Sequence, residues 1–122
     1  MPLSDVPGYS EVFPASAGAI VRAWDFDLIT YVHFDRHYDE DRKGFEGALD
    51  IVLEGRGGLL GLRLGNVQLL EIRSFYQWPG FEIDDVRSSG WDRKYFKLYC
   101  LESDAVLGYS ETAEIYKPLP YH

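Results

Sequence analysis

A chain of 122 residues, 46% hydrophobic and 16% aromatic, is long enough to bury one hydrophobic core and too apolar to be disordered. Its 20 acidic and 12 basic side chains give a net charge of −8, which repels phosphates and argues against a nucleic-acid partner. One cysteine, Cys100, allows no intramolecular disulfide and fits a reducing compartment. The N-terminus lacks a signal-peptide pattern and no apolar run reaches membrane-spanning length, so we expect a cytoplasmic protein.

We expect a single domain over residues 1–122. Its first 18 residues are rich in Pro, Gly, Ser and Ala, which predicts an irregular segment on the surface. The stretch "WDFDLITYVHFD" then alternates apolar and mixed residues with period two, which predicts a strand whose apolar face includes Phe26, Leu28 and Phe34. This strand is expected to end near Asp35, because "RHYDEDRKG" is charged and aperiodic and resembles a loop.

Further strands follow in the sequence. "ALDIVLEG" and "LLGLRLG" flank "GRGG", which predicts a hairpin, and "NVQLLEIRSFY" continues as a strand before the turn "QWPG". "FEIDDVR", "YFKLYCLES" and "AVLGYSETAEIYK" are the remaining strand candidates, and the second of these makes Cys100 a small core residue. No helical apolar stripe is present. We therefore predict a mainly β fold of six to seven antiparallel strands, as a sandwich or a strongly curved half-barrel sheet, with at most one short helix.

The segment "VHFDRHYDED" raises the question of a metal site. His33, Asp35, His37 and Asp39 would point to one side of an extended strand, and each is a possible metal ligand. Neighbours two apart on a strand are separated by roughly 6.5–7 Å along it, so four in a row cannot converge on one ion without a bend. The only other histidine is the terminal His122. We favour a strand end with an acidic loop, and we keep a metal-dependent enzyme using His33, Asp35 and His37 as the alternative.

Other catalytic patterns are incomplete. "EGRGGLLG" has Leu60 where the dinucleotide-binding pattern needs its last glycine, and a strand rather than a helix follows it. "GYSET" around Ser110 has Thr112 in place of the second glycine of a nucleophile elbow. We therefore predict neither catalytic residues nor a cofactor.

Acidic and aromatic residues on predicted loops are the clearest candidates for a binding surface. Tyrosine, tryptophan and carboxylates in such positions suit recognition of a basic protein. The candidate partner-binding residues are Tyr38, Asp39, Glu40, Asp41, Trp78, Asp84 and Asp85.

The second half of the chain, residues 60–115, contains "LRLGNVQLLEI", "FEIDDV", "SGWDRKYFKLYCLESD" and a closing "AEI". In this succession of strands and turns it resembles small acidic β-rich immunity proteins of bacterial polymorphic-toxin and contact-dependent inhibition systems. The resemblance implies a non-enzymatic cytoplasmic protein that binds a cognate toxin, itself expected to be basic, and occludes its active site. A third hypothesis is a structural module that self-associates through an exposed sheet edge.

Overall fold

The structure is a computed structural model that describes residues 2–13, 22–56, 58–68, 80–100 and 106–118. In these ranges one short helix, α1, spans Tyr9–Val12, and three 3-10 turns lie at Leu3–Asp5, Ala23–Asp25 and Arg87–Ser89. Within these ranges the seven strands are β1 Phe26–Asp39, β2 Gly44–Gly55, β3 Gly58–Gly65, β4 Phe81–Asp85, β5 Phe96–Cys100, β6 Val106–Ser110 and β7 Thr112–Tyr116. The prediction of a mainly β fold with antiparallel strands and one short helix is confirmed.

The strands form two antiparallel sheets. The large sheet has the order β1-β2-β3-β7, and the small sheet has the order β4-β5-β6. The predicted hairpin around "GRGG" is confirmed as β2 and β3, with Gly55 opposite Gly58. The predicted short strand "FEIDDVR" is confirmed as β4, which pairs with β5 so that Phe81 lies opposite Cys100.

A single hydrophobic core lies between the two sheets. Alternate residues of the large sheet point into it, and the apolar residues of β4 and β5 cover them from the small sheet. Complete burial of one such side chain stabilises the fold by about 1.5–3 kcal/mol. The core residues that β2, β3, β4, β5 and β7 contribute are Leu49, Ile51, Leu53, Leu60, Leu62, Leu64, Phe81, Ile83, Phe96, Leu98, Ala113 and Ile115.

Strand β1 differs from its prediction in length and in phase. It continues to Asp39, so the expected end near Asp35 is wrong: pairing with β2 holds the charged residues in the sheet up to Asp39 opposite Gly44. Two irregularities, between Phe26 and Leu28 and between Ile29 and Tyr31, shift the alternation. As a result Phe26 and Ile29 are buried, whereas Leu28 and Phe34 of the predicted apolar face are exposed.

The segment "AVLGYSETAEIYK", expected as one strand, forms two strands in different sheets. β6 belongs to the small sheet and β7 to the large sheet. The side-chain alternation changes phase at Glu111, because Gly108 and Ser110 are buried before it and Ala113 and Ile115 after it. The chain therefore crosses from one sheet to the other at this residue.

The N-terminal segment contributes to the core and covers one edge of the large sheet. Leu3 and Val6 are buried in the core, and the N–H of Ile115 on β7 donates to the carbonyl of Pro7 at 2.8 Å. A Cβ on Gly8 would lie 2.1 Å from the carbonyl oxygen of Ile115, so glycine allows this close approach. The segment predicted to be irregular thus holds two short helical turns within residues 2–13.

Candidate functional site

The candidate site is the outer part of the β1–β2 hairpin. The turn between the strands spans residues 40–43, and its shape is set by the Asp39 carboxylate, whose Oδ1 accepts hydrogen bonds from the N–H groups of Asp41 and Arg42 at 3.0 and 3.2 Å. Lys43 has a φ of 52°, in the left-handed region that closes the turn. Asp39, a predicted binding residue, therefore holds the turn in place.

One face of the hairpin is aromatic, and we call it the aromatic face, defined by Phe34, Arg36, Tyr38 and Phe45. Tyr38 lies opposite Phe45 across the strand pair, with ring centroids 5.3 Å apart in an edge-to-face arrangement. The guanidinium of Arg36 lies 4.4 Å from the centroid of the Phe45 ring. Phe34, Tyr38 and Phe45 are 55%, 52% and 62% exposed. The hairpin therefore presents three large aromatic rings to solvent.

The position of this face follows from the strand pairing. Phe34 lies opposite Leu49 and so points to the same side of the large sheet as the core residues of β2. The small sheet does not cover Phe34, whose side chain is exposed. Its ring lies over Gly47, where a Cβ would come within 2.5 Å of Cζ. Sequence analysis missed Phe34, Arg36 and Phe45 as site residues. For Phe45 a signal was available in "GFEG", where this aromatic residue has Gly44 before it and Glu46 and Gly47 after it.

The opposite face of the hairpin carries the charged residues. His33, Asp35, His37 and Asp39 point to one side, as their period-two spacing predicts, because they pair with Asp50, Ala48, Glu46 and Gly44 of β2. We call this the charged face. One row crosses the whole large sheet with alternating character, His33 on β1, Asp50 on β2, Arg63 on β3 and Glu114 on β7.

The ion pairs of this row are open to solvent. Nε of Arg63 lies 3.9 Å from Oδ2 of Asp50, and its Nη1 lies 3.4 Å from Oε1 of Glu114. The Arg63 guanidinium also lies 3.9 Å from the centroid of the Tyr116 ring, and the Tyr116 hydroxyl donates to Asp50. Burial, together with this bond to Asp50, raises the pKa of Tyr116. The phenol therefore stays protonated well beyond neutral pH.

A groove of about 520 Å³ lies on the charged face. It is lined by the row His33, Asp50, Arg63 and Glu114, and its floor includes Ala48, Gly65 and Thr112. A smaller hollow of about 210 Å³ shares this floor and reaches the hairpin turn. At that end Nη1 of Arg42 donates to Glu46 at 2.9 Å and to Glu111. The charged face therefore holds its own arginines in ion pairs.

The metal-site hypothesis finds no set of ligands in the described part of the chain. There, no three His, Cys, Asp or Glu side chains converge closely enough to hold an ion. From this stretch, Nε2 of His37 lies 3.9 Å from Oε2 of Glu46 on β2.

The remaining predicted binding residues lie apart from the hairpin. Asp84 and Asp85 end strand β4 of the small sheet. Asp85 accepts hydrogen bonds from Nε of Arg87 at 3.0 Å and from its backbone N–H, and these bonds lower the pKa of the Asp85 carboxyl. Trp78 lies outside the described residues. Of the seven predicted residues, the structure thus brings together Tyr38, Asp39, Glu40 and Asp41.

Comparison with family models, with curated proteins and with solved structures finds no significant match to this chain. None of the helices in the described ranges is long and apolar enough to cross a membrane.

Proposed function

We propose that this chain is a non-enzymatic cytoplasmic binding protein that neutralises a bacterial toxin, in the way that the immunity proteins it resembles do. The observation that carries the proposal is the hairpin tip, residues 34–45, where exposed aromatic rings adjoin carboxylates that have no ion pair to any residue the structure describes. The tip would dock on the basic active site of the toxin and exclude its substrate.

The aromatic face supplies the apolar part of such a contact. Exposed aromatic rings clustered on one side of a hairpin are unusual for a surface that stays in water. Tyrosine and arginine are enriched among the residues that dominate binding energy at protein interfaces. Tyr38 and Phe45 already contact each other edge to face, so little side-chain freedom is lost when a partner covers them.

The turn supplies the electrostatic part. Glu40 and Asp41 are exposed, and within the ranges that the structure describes neither side chain has an ion pair or hydrogen bond. The net charge of −8 adds a long-range attraction for a basic partner. Complementary charge of this kind raises association rates and selects partners more than it adds affinity.

These two parts suggest a mechanism of occlusion. The carboxylates of Glu40 and Asp41 would pair with arginine and lysine side chains that otherwise hold an anionic substrate. Tyr38 would anchor the contact beside them. The supporting bonds of Asp39 and Arg42 hold the turn before binding, which reduces the entropy cost of association.

A growth assay tests the proposal. The C-terminal domain of the protein encoded by the adjacent gene, which the proposal expects to be the toxin, is expressed together with the wild-type protein or with a variant. We expect the wild type to restore growth and E40K/D41K to lose this protection. The variant D27K/E54K is the matched control, because it makes the same charge change at exposed acids elsewhere on the large sheet. Growth arrest in the presence of abundant folded wild-type protein would refute the proposal.

A further inference from the structure

Strand β1 is an unusually long edge strand. It spans 14 residues and ends the large sheet, and no described strand pairs with its outer side. The opposite edge, at β7, is covered by the N-terminal segment through Pro7. Natural edge strands are usually short, covered or interrupted by bulges, because an open edge is a template for pairing with another chain. In β1 the irregularities are confined to residues 26–31, and pairing from Tyr31 to Asp39 is regular.

The backbone of this regular half is oriented for pairing. The carbonyl of Gly47 on β2 accepts a hydrogen bond from the N–H of Val67, so the polar backbone groups of Gly47 point away from β1. Arg36 lies opposite Gly47 and forms no ladder bonds with it, so its own N–H and C=O point outwards. By alternation along the strand, Phe34 and Tyr38 also direct their backbone groups to the open edge.

The charged-face side chains of β1 are complementary to the same side chains of a second, antiparallel copy of the strand. His33, Asp35, His37 and Asp39 alternate in type, and an antiparallel copy presents the same series in reverse order. We propose that β1 pairs antiparallel with β1 of a second copy of this chain, about a two-fold axis at Arg36, joining the two large sheets into one. In this register His33 lies opposite Asp39 of the second copy and Asp35 lies opposite its His37, and the axis repeats each pair.

Other registers are chemically poorer. An axis at Asp35 places this carboxylate opposite itself and His33 opposite His37. An axis at Phe34 pairs His33 with Asp35 but leaves His37 opposite Tyr31 and moves Asp39 beyond the regular pairing. The axis at Arg36 alone pairs all four charged-face residues with a residue of opposite character.

The register with its axis at Arg36 also suits the aromatic face and the row of charged residues that crosses the large sheet. Phe34 of one copy lies opposite Tyr38 of the other, twice, and aromatic cross-strand pairs stabilise sheets. The two Arg36 side chains meet at the axis, but each guanidinium already lies over its own Phe45 ring and so is directed back towards β2. On the charged face, the row Glu114, Arg63, Asp50 and His33 gains Asp39 of the second copy and keeps its alternation across five strands.

This pairing goes beyond the proposed function and does not depend on it. It uses the backbone of the open β1 edge and brings Phe34 and Tyr38 of the two copies together, so these two rings belong to both surfaces. Glu40 and Asp41 of the turn belong to the toxin-binding surface alone. Different variants test the two proposals: E40K/D41K changes the turn beyond the paired strand, and D35K and H37D change side chains that take no part in the proposed toxin contact.

A charge-swap experiment tests the pairing and its register, with the dimer measured by sedimentation velocity over a range of concentrations. D35K removes the attraction to His37 of the second copy, and H37D places two carboxylates opposite each other. We expect each to weaken the dimer roughly 3- to 30-fold, and D35K/H37D to restore it by pairing Lys with Asp. Because H37D also approaches Glu46, each variant is checked for its fold by circular dichroism. A monomeric wild type, or a double variant as weak as the single ones, would overturn the proposal.

Disulfide trapping gives a second measurement that does not depend on these variants. In a C100S background, a cysteine at the two-fold axis lies within disulfide distance of its symmetry mate. We expect R36C to form a covalent dimer under mild oxidation faster than D35C or F34C. Faster linking through D35C or F34C, or no linking in any of the three, would contradict the assignment of the axis to Arg36.

Discussion

Arg42, in the turn of the β1–β2 hairpin, donates hydrogen bonds to both carboxylate oxygens of Glu111, the residue at which the chain crosses between the two sheets. The same nitrogen also donates to Glu46 at 2.9 Å. These bonds, and the one to Glu111 above all, raise the pKa of the guanidinium. One side chain therefore links the hairpin turn to the opposite edge of the groove.

Replacement of Arg42 should loosen the hairpin while leaving the core intact. In R42A we expect faster hydrogen exchange at backbone amides of residues 36–46, because the tip loses its tie to Glu111. Exchange within β3 and β5 should stay as in the wild type. The control is R56A, which removes an arginine from the β2–β3 turn that pairs with Asp25 at 3.3 Å. Unchanged exchange at the tip in R42A would show that this bond does not hold the hairpin.

Removal of the Tyr116 hydroxyl should change the alkaline stability of the protein. Its raised pKa means that folding favours the neutral phenol, so this contribution is present below the ordinary tyrosine pKa, near 10, and is lost as pH rises through the higher folded value. We expect Y116F to cost about 1–2 kcal/mol at neutral pH through loss of the bond to Asp50. Above about pH 10 the wild type should lose stability faster than Y116F. Urea unfolding at several pH values measures both effects, and parallel pH profiles would contradict this account.

Ser110 offers a stabilising substitution. Its side chain is completely buried on β6, and its Oγ has no hydrogen-bond partner within the described ranges. An unsatisfied buried hydroxyl is costly, so S110A should raise the free energy of unfolding by about 1 kcal/mol. Thermal and urea unfolding would show this as a higher midpoint with an unchanged urea dependence. A less stable S110A would mean that the hydroxyl has a partner in the folded protein.

Gly55, at the end of β2, is required by a close backbone contact. A Cβ at this position would lie 1.8 Å from the carbonyl oxygen of Asp25, and backbone cannot move aside as a flexible side chain can. We expect G55A to lower the free energy of unfolding by about 2–3 kcal/mol. G44A is the matched control at the other end of the strand, where the nearest atom would be 3.9 Å away. Similar stabilities for the two variants would contradict the steric argument.

The fold class followed from the sequence because most strands keep a regular alternation. The core residues of β2, β3, β4 and β5 recur at every second position, although neighbours such as Val52 and Glu82 are buried as well, and glycines mark the hairpin between β2 and β3. β1 was harder, since its two irregularities shift the phase without any glycine or proline to mark them. The crossing at Glu111 was missed for a similar reason. A phase change inside an otherwise continuous strand pattern is visible only once both sheets are known.

The site was predictable in part. Period two would place His33, Asp35, His37 and Asp39 on one face of an extended strand, and they share a face here because β1 continues beyond the expected end near Asp35. The sequence could not show that Asp39 and Asp85 bond within the chain, because such bonds depend on turn geometry. Nor could it show that Phe34 and Phe45 are exposed, since aromatic residues in strands are usually buried.

Direct titration of the purified protein with the C-terminal domain of the protein encoded by the adjacent gene, by isothermal calorimetry, tests the central claim that the hairpin tip recognises a basic partner. We predict tight binding that weakens with added salt, a roughly 10- to 100-fold loss of affinity in E40K/D41K, and wild-type affinity in D27K/E54K. Equal affinities for the wild type and E40K/D41K, or a loss of the same size in both double variants, would contradict the account.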